Sequence, residues 1–581
     1  MTEEESKAYI ESLKPKEGLN EYIVTCKSYE DLENFYDDME TPGGSLYIPN
    51  RSVDLVHRRT ISRNTHYMLT EEEAVEIRKD ERVIACERPA KDRGIEIVPY
   101  WTQTGNFSKE WSTFDEDDKN WGLYRMVEGE SPSYWGSDGI SSPSKVLSNK
   151  TISTTASGKN VDVVIVDDHV LPDHPEFAVN PDGTGGSRVN QFNWFQYSSA
   201  LGVTTPETYT YTFEGNHGTH VAGTACGNTQ GWARDSNIYN MSFRDSGSGV
   251  TDWSEKLWDY LRYFHNNKAI NSETGRRNPT IVNNSWGSSY NINVVQLDNV
   301  YSVTYQGTTT SLSGTTTAQK KTALEASACS IGTSNFRGRV PTQDAAILAD
   351  ATDALNDGVI LVAAAGNSYW NCEEVGGADF NNYISVSSPA SEYNYNFNIY
   401  HNRGSAPGDT PGIICVGNID SDRIEHKRNS SNWGGRVDIW APGEDIISSI
   451  YTNTQETMGY APMVQDPRDS DYYLASIGGT SMASPQITGI LACLLEQEPN
   501  LTPAEALQHL IENALSDVYD TGVAANLSPY EGFGDSNNRY AFIPKKRFDT
   551  GMASPAVLHK NRNTSTAGMK YPRVRNNRTT K

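Results

Sequence analysis

The segment Gly479-Thr480-Ser481-Met482-Ala483-Ser484-Pro485 puts a hydroxyl where a tight loop of small residues turns into a helix. Far upstream, Val163-Val164-Ile165-Val166-Asp167 is an apolar strand that ends in a carboxylate. His217-Gly218-Thr219-His220-Val221-Ala222-Gly223 is a compact helix start bearing an imidazole. A carboxylate behind a buried strand can orient an imidazole without being lost to solvent, and small neighbours let His217 approach closely. Ser481 at a helix N-terminus has backbone N–H groups beside it, where an oxyanion would develop on attack. Asp167, His217 and Ser481 are thus the parts of a nucleophilic hydrolase working by acyl transfer. Each segment alone is a weak signal, since an acidic residue after a strand is more often a cap. From the residues by themselves, an enzyme and a non-catalytic domain both stay open.

The elements that must position these groups read as strand, helix, strand from about residue 161 to 515. Asp162 to Val166, Asn237 to Met241, Pro279 to Asn283, Val359 to Ala363 and Ile413 to Val416 are short, mostly continuous apolar runs. Such runs suit a parallel sheet covered on both faces. Helices are expected at Gly218 to Thr224, Asp252 to Asn266 and Ala345 to Asn356. Thr502-Pro503-Ala504-Glu505 is a further helix start, with hydroxyl cap, Pro at the first position and Glu at the third. The fold class is α/β, with functional residues at the carboxyl ends of the strands.

At these motifs the chain resembles the subtilisin-like serine proteases (subtilases, peptidase family S8). The likeness lies in Ile165-Val166-Asp167 with His174-Pro175-Glu176, in the His217 and Ser481 segments, in Val282-Asn283-Asn284-Ser285-Trp286-Gly287, in Ala363-Ala364-Ala365-Gly366-Asn367 and in Ala441-Pro442-Gly443. It covers roughly 160 to 515 and implies a three-layer domain on a mostly parallel central sheet. It also implies a serine endopeptidase acting on polypeptide through an acyl-enzyme: Asp167 orients the imidazole, His217 is base then acid, Ser481 is the nucleophile and Asn367 donates to the oxyanion. Ser285, Trp286 and Gly287 correspond to an edge that pairs with extended substrate, and Ala364, Ala365 and Gly366 to the opposite wall of the specificity pocket. His220 takes a structural role, and Ser484 lies too far along the helix to replace Ser481. The chemistry needs no cofactor. Structural calcium occurs in the family and Glu176 stands at a position compatible with a ligand, but Thr224 to Gly231 is too short for the usual calcium loop and is similar to proteinase K there, so metal ligands stay unassigned.

Two features depart from the family pattern. Asp168 and His169 follow Asp167 where a small residue and Gly are usual; Asp168 resembles the kexin-like branch. His169 carries a conformational cost if the position needs positive φ, and adds an imidazole that could compete for the Asp167 carboxylate. The opposing reading is an impaired domain retained for binding or assembly. The 264 residues from His217 to Ser481 exceed what compact relatives need. The excess lies at Tyr290 to Thr322, Tyr369 to Thr410 and Ile450 to Tyr472, expected as surface loops.

Residues 21 to 89 read as a β-α-β-β-α-β, ferredoxin-like module in which Thr70 and Glu73 form a capping box. Beside a subtilisin-like domain this module resembles the family's inhibitor-like propeptide. That implies an intramolecular inhibitor removed by autoprocessing between Pro89 and Lys109, with Tyr100 a candidate site; a permanent accessory domain is the plainer alternative. Residues 1–20 form an N-terminal extension, 90–160 a linker and irregular approach to the 161–515 catalytic domain, and 516–544 that domain's C-terminal extension.

A net charge of −25 excludes nucleic acid as a partner of the main body. The exception is 545–581, with ten Lys/Arg and one Asp, expected to be a flexible tail or a docking arm for an acidic partner. Seven cysteines without C-x-x-C spacing form no disulfide framework or metal site. The acidic start Met1-Thr2-Glu3-Glu4-Glu5 lacks a secretory pattern and no stretch is apolar enough to span a membrane, so localisation is unassigned. A phage- or virus-encoded protease acting at assembly would reconcile these features.

Overall fold

Strands that carry apolar residues on both faces must be covered on both, and that requirement organises the larger part of this protein. The structure, a computed structural model, describes residues 18–48, 55–58, 62–89, 92, 101–110, 114–129, 145–203, 215–242, 253–292, 297–327, 339–387, 396–421, 425–451, 463–516, 533–534 and 536–543. The chain divides into two compact units, one up to Pro99 and one spanning Tyr100–Lys546.

In the larger unit, strands β1 (Asp162–Asp167), β2 (Val189–Asn190), β3 (Asn237–Ser242), β4 (Thr280–Asn284), β5 (Ile360–Ala364), β6 (Ile414–Ile419) and β7 (Ile439–Pro442) form one sheet. Its order is β7-β6-β5-β4-β1-β3-β2, and each neighbouring pair is parallel. Alternate residues of β1 feed different cores. Val163 and Ile165 pack with Val221 and Ala222 of helix α1 (Asn216–Cys226) and with Ile487 and Leu491 of the later helix Thr480–Gln497. Val164 and Val166 pack on the other face with Leu257 and Leu261 of α2 (Trp253–Asn267) and Ile347 and Ala351 of α3 (Ala345–Asn356). This is the three-layer α/β arrangement. Thr480–Gln497, here α4, is buried at fifteen of its eighteen residues, because the sheet and α1 pack around it. The helix Pro503–Asn513 starts with the expected capping box between Thr502 and Glu505.

Two expectations are corrected. The insertions are not simply surface loops. Val300–Tyr305, Thr308–Ser311, Tyr383–Ser387 and Asn396–Ile399 form a four-stranded antiparallel sheet, whose core includes Val300, Leu324, Val340, Trp370 and Ile384. Polar Thr and Asn on the outward positions hid this alternation. Likewise Ile446–Ile450 and Met463–Asp466 both pair with Asp469–Ile477.

Nor is 101–154 a linker. Trp101–Ser108, Asp118–Asn120 and Val146–Thr154 form a small sheet, and Trp121, Leu123 and Met126 enter the main core. Lys109 Nζ and Arg125 Nε meet the two oxygens of Glu425 at 2.8 and 2.6 Å, all three side chains at most 2% exposed. Burial alone would raise the Glu425 pKa, but the two cations hold it down at about 2. Past the main domain, Tyr540 bridges to Trp440 and Leu515.

The smaller unit has a four-stranded antiparallel sheet in the order Leu55–Arg58, Asn64–Leu69, Asn20–Cys26, Val83–Glu87. Helices Leu32–Glu40 and Glu71–Ile77 complete a β-α-β-β-α-β order around Tyr22, Phe35, Met39 and Tyr67. The Thr70–Glu73 capping box is formed. Residues 1–17, Tyr100 and the basic stretch 545–581 lie outside the described residues. Among the described residues no helix is long and apolar enough to cross a membrane.

Candidate active site

Asp167 is the last residue of β1 and 1% exposed. His217 is the second residue of α1, and its Nδ1 lies 2.7 Å from Asp167 Oδ1. A carboxylate only accepts, so Nδ1 carries the hydrogen and Nε2 is left as the basic nitrogen of the neutral ring. The same carboxylate oxygen accepts from Asp168 N at 2.8 Å. Asp167 is therefore engaged by His217 rather than lost to His169. His169 is buried and is not among the residues with positive φ, so the conformational cost expected there does not arise.

Asp168 has a role the sequence did not disclose. Gly215, at the N-cap of α1, has no side chain to cap the helix; the Asp168 carboxylate does so from the neighbouring loop, accepting from Gly218 N. The approach is so close that a Cβ on Gly215 would lie 2.0 Å from His169 O, and one on Gly218 2.6 Å from Asp168 Oδ1. The glycine next to His217 is thus needed for docking the imidazole's helix onto the loop after β1. His220, one turn on, is fully buried and its Nε2 donates to Ile446 O and Ala475 O at 2.9 and 3.1 Å. Burial drives its pKa down to about 3, which keeps it neutral and structural.

Ser481 is the second residue of α4 and 9% exposed. The preceding Gly479 has φ +146, a backbone conformation that favours glycine. Pro485 sits deeper in the helix than an early-turn position, so its missing N–H matters: it deprives the Ser481 carbonyl of its intrahelical donor. Ser285 Oγ supplies one instead, at 2.8 Å, and Ser481 Oγ donates in return to Ser285 O at 3.2 Å. The lock continues below. Asn283 donates to Ser285 Oγ at 2.9 Å and accepts from Ser484 and Thr488 at 2.9 and 3.1 Å. Ser484 therefore fastens α4 to β4, as a residue outside the chemistry.

Asn367 follows β5. Its Oδ1 accepts from Thr480 N at 2.8 Å and Thr480 Oγ1 at 2.9 Å. A backbone N–H can only donate, which fixes the amide's orientation and leaves Nδ2 as the outward donor. Asn432, unsuspected from sequence, shapes this loop. It donates to Ala365 O at 2.7 Å and accepts from Ser368 N and Trp370 N at 3.2 and 2.8 Å. A Cβ on Gly366, at φ +104, would lie 2.5 Å from Asn432 Nδ2.

Ser481 and Asn367 border one cavity of about 390 Å³, lined also by Ser285, Trp286 and Gly287 from beyond β4 and by Ala364 and Gly366; Asp167 and His217 are not among its described lining residues. Ala365 does not line it: its N–H pairs with Val416 O at 2.9 Å and its side chain joins the main core. Ala365 lies just past the end of β5 and joins the core of Ile360 and Val362, out of step with the strand's alternation.

Glu176 does not fit a calcium ligand. Its Oε1 accepts from Thr229 Oγ1 and Arg468, and its Oε2 from Thr229 N and Gln230 N at 3.0 Å each. Arg468 also holds the buried Asp466. A guanidinium thus occupies the charge-neutralising position. Burial would raise the Glu176 pKa, but Arg468 and the surrounding donors bring it down to about 2. Among the described residues no group of three or more His, Cys, Asp or Glu is placed to hold a metal.

The model of the subtilase family matches residues 158–540. The chain belongs to the subtilase family. As a subtilase it is a serine endopeptidase. Alkaline protease 1 of Aspergillus clavatus is 24% identical over 72% of this chain and 72% of its own length. Subtilisin-like proteinase Mp1 of Magnaporthiopsis poae is 22% identical over 88% of this chain and 90% of its own. A cold-adapted subtilisin-like serine proteinase of solved structure aligns at 20% identity and a TM-score of 0.39, over 70% of this subtilase and 97% of that protein.

Proposed function

We propose that this subtilase cleaves polypeptides with Ser481 as nucleophile, His217 as general base and then acid, Asp167 as the group that orients His217, and Asn367 as oxyanion donor. The observation that carries the reading is the 2.7 Å Asp167–His217 bond, with the His217 helix packed against the helix that bears Ser481 and with Ser481 and Asn367 lining one cavity. The Ser481 hydroxyl leaves the Ser285 carbonyl and gives its proton to His217 Nε2 as Oγ attacks the scissile carbonyl. Negative charge then develops on that carbonyl oxygen, toward Asn367 Nδ2 and the Ser481 N–H, one of the first-turn donors a helix leaves without an intrahelical acceptor. Asp167 offsets the charge on the imidazolium, which returns its proton to the leaving amine. Water, deprotonated by the same imidazole, releases the acyl group.

The 21–89 module is the first substrate in this reading, and its inhibitor-like element order supports that role. Intact mass is compared after incubation of wild type and Ser481→Ala. Loss of about the first hundred residues in wild type alone is expected, with a fluorophosphonate adduct on Ser481. Labelling without trimming would make the module a permanent accessory domain. The absence of both labelling and trimming would refute the catalytic reading in favour of a binding protein.

A further inference from the structure

We propose that Arg339 makes the cavity beside Ser481 a receptor for an acidic side chain, so that this subtilase cleaves on the carboxyl side of Glu or Asp. The proposal rests on the catalytic reading above, since the residue whose carbonyl meets Ser481 and Asn367 is the one whose side chain enters this cavity.

Arg339 lines the cavity, and among the described lining residues it is the only charged one. Its direction follows from the strand it starts. Arg339–Pro341 pairs antiparallel with Ser289–Asn291, Ser289 opposite Pro341 and Tyr290 opposite Val340. Val340 is fully buried in the peripheral core with Trp370. Successive side chains of a strand point to opposite faces, so Arg339 and Pro341 share the other face. That face is the cavity's, because Pro341 and Ser289 line it too. The backbone is held there by Trp370, whose Nε1 donates to Arg339 O at 2.8 Å.

The remaining lining suits a charged but solvated guest. Ser285, Ser289, Ser368 and Ser405 supply hydroxyls, and among the described lining residues no Asp or Glu is present to neutralise the arginine or repel a carboxylate. A guanidinium presents a planar fork of N–H donors that matches a carboxylate's two oxygens. A chain of net charge −25 gives acidic peptides no general attraction, so the preference has to come from this local cation. The chain's own sequence offers a matching internal test. Between Arg88 and Tyr100 the only acidic residues are Asp92 and Glu96, which makes those two the predicted self-processing sites in place of Tyr100.

The experiment uses two fluorogenic peptides identical except for Glu or Gln before the scissile bond. They are hydrolysed by the full chain and by Arg339→Gln and Arg339→Glu, with active sites counted by fluorophosphonate titration. Wild type should prefer Glu by about tenfold or more in kcat/KM, the scale of one charge-assisted hydrogen bond. Arg339→Gln should bring the ratio to about one, and Arg339→Glu should invert it. N-terminal sequencing of the matured protein should begin at Arg93 or Ile97. A titratable wild type that treats Glu and Gln alike, or a preference that survives in Arg339→Gln, overturns the specificity while leaving the catalytic reading intact. A wild type that neither titrates nor hydrolyses any peptide overturns both.

Discussion

Replacing Arg468 with Met removes the cation from two buried carboxylates at once. Glu176 and Asp466 have fully buried side chains, and Arg468 is 12% exposed. Breaking a buried ion pair by deleting one partner costs about 3–5 kcal/mol. At about 2.1 cal/mol/K per residue, a unit the size of Tyr100–Lys546 loses roughly 1 °C of Tm for each kcal/mol. The expected fall is therefore roughly 3–5 °C at pH 7, read by calorimetry in a Ser481→Ala background so that self-digestion does not contribute. The pH dependence gives a second check. The Glu176 pKa is about 2, below its ordinary 4.5, so the stability it contributes is complete above pH 4.5 and is lost as pH falls toward 2. The Tm gap between Arg468→Met and its parent should narrow over that window. An unchanged Tm at pH 7, or a gap of constant size down to pH 2.5, would refute the argument that the guanidinium neutralises this site.

Ser285→Ala should leave the Ser481 carbonyl buried without a donor, at about 1–3 kcal/mol, and lower kcat by loosening the nucleophile. Pro485→Ala restores an N–H to that carbonyl, so a double-mutant cycle in denaturant should show a smaller Ser285→Ala cost in the Pro485→Ala background; strict additivity would count against the lock. Asn367→Ala should lower kcat with little change in KM, as loss of such an amide does in subtilisin by about 10²–10³. A change confined to KM in steady-state kinetics would remove Asn367 from the oxyanion site.

Five of the seven central strands were legible as short, mostly apolar runs, whereas Val189–Asn190 and Ile439–Pro442 are too short to signal themselves, and α3 was expected at the bounds it takes. As candidates, Asp167 was marked by the apolar strand it ends and His217 and Ser481 by their small neighbours, whereas Asn367 was marked by the family resemblance alone. What stayed hidden depends on partners distant in sequence. Nothing about Asp168 signals that it caps a helix fifty residues on, and Arg468 lies 292 residues from Glu176. The antiparallel sheet in the insertion was obscured because short polar strands resemble loops. Lys109 and Arg125 read as linker charges until Glu425, equally remote, buried them.

The depth of α4 sets how this subtilase can lose activity. A helix with fifteen of eighteen residues buried does not open by local fraying, and its amides should exchange with solvent only through opening of the surrounding domain. Heat inactivation and loss of the domain's fold then become a single event. The ribbon bearing Arg339 is short and its first residue is exposed, so residue choice there can change with little consequence for that event. Cleavage preference and thermal endurance can accordingly be selected one at a time.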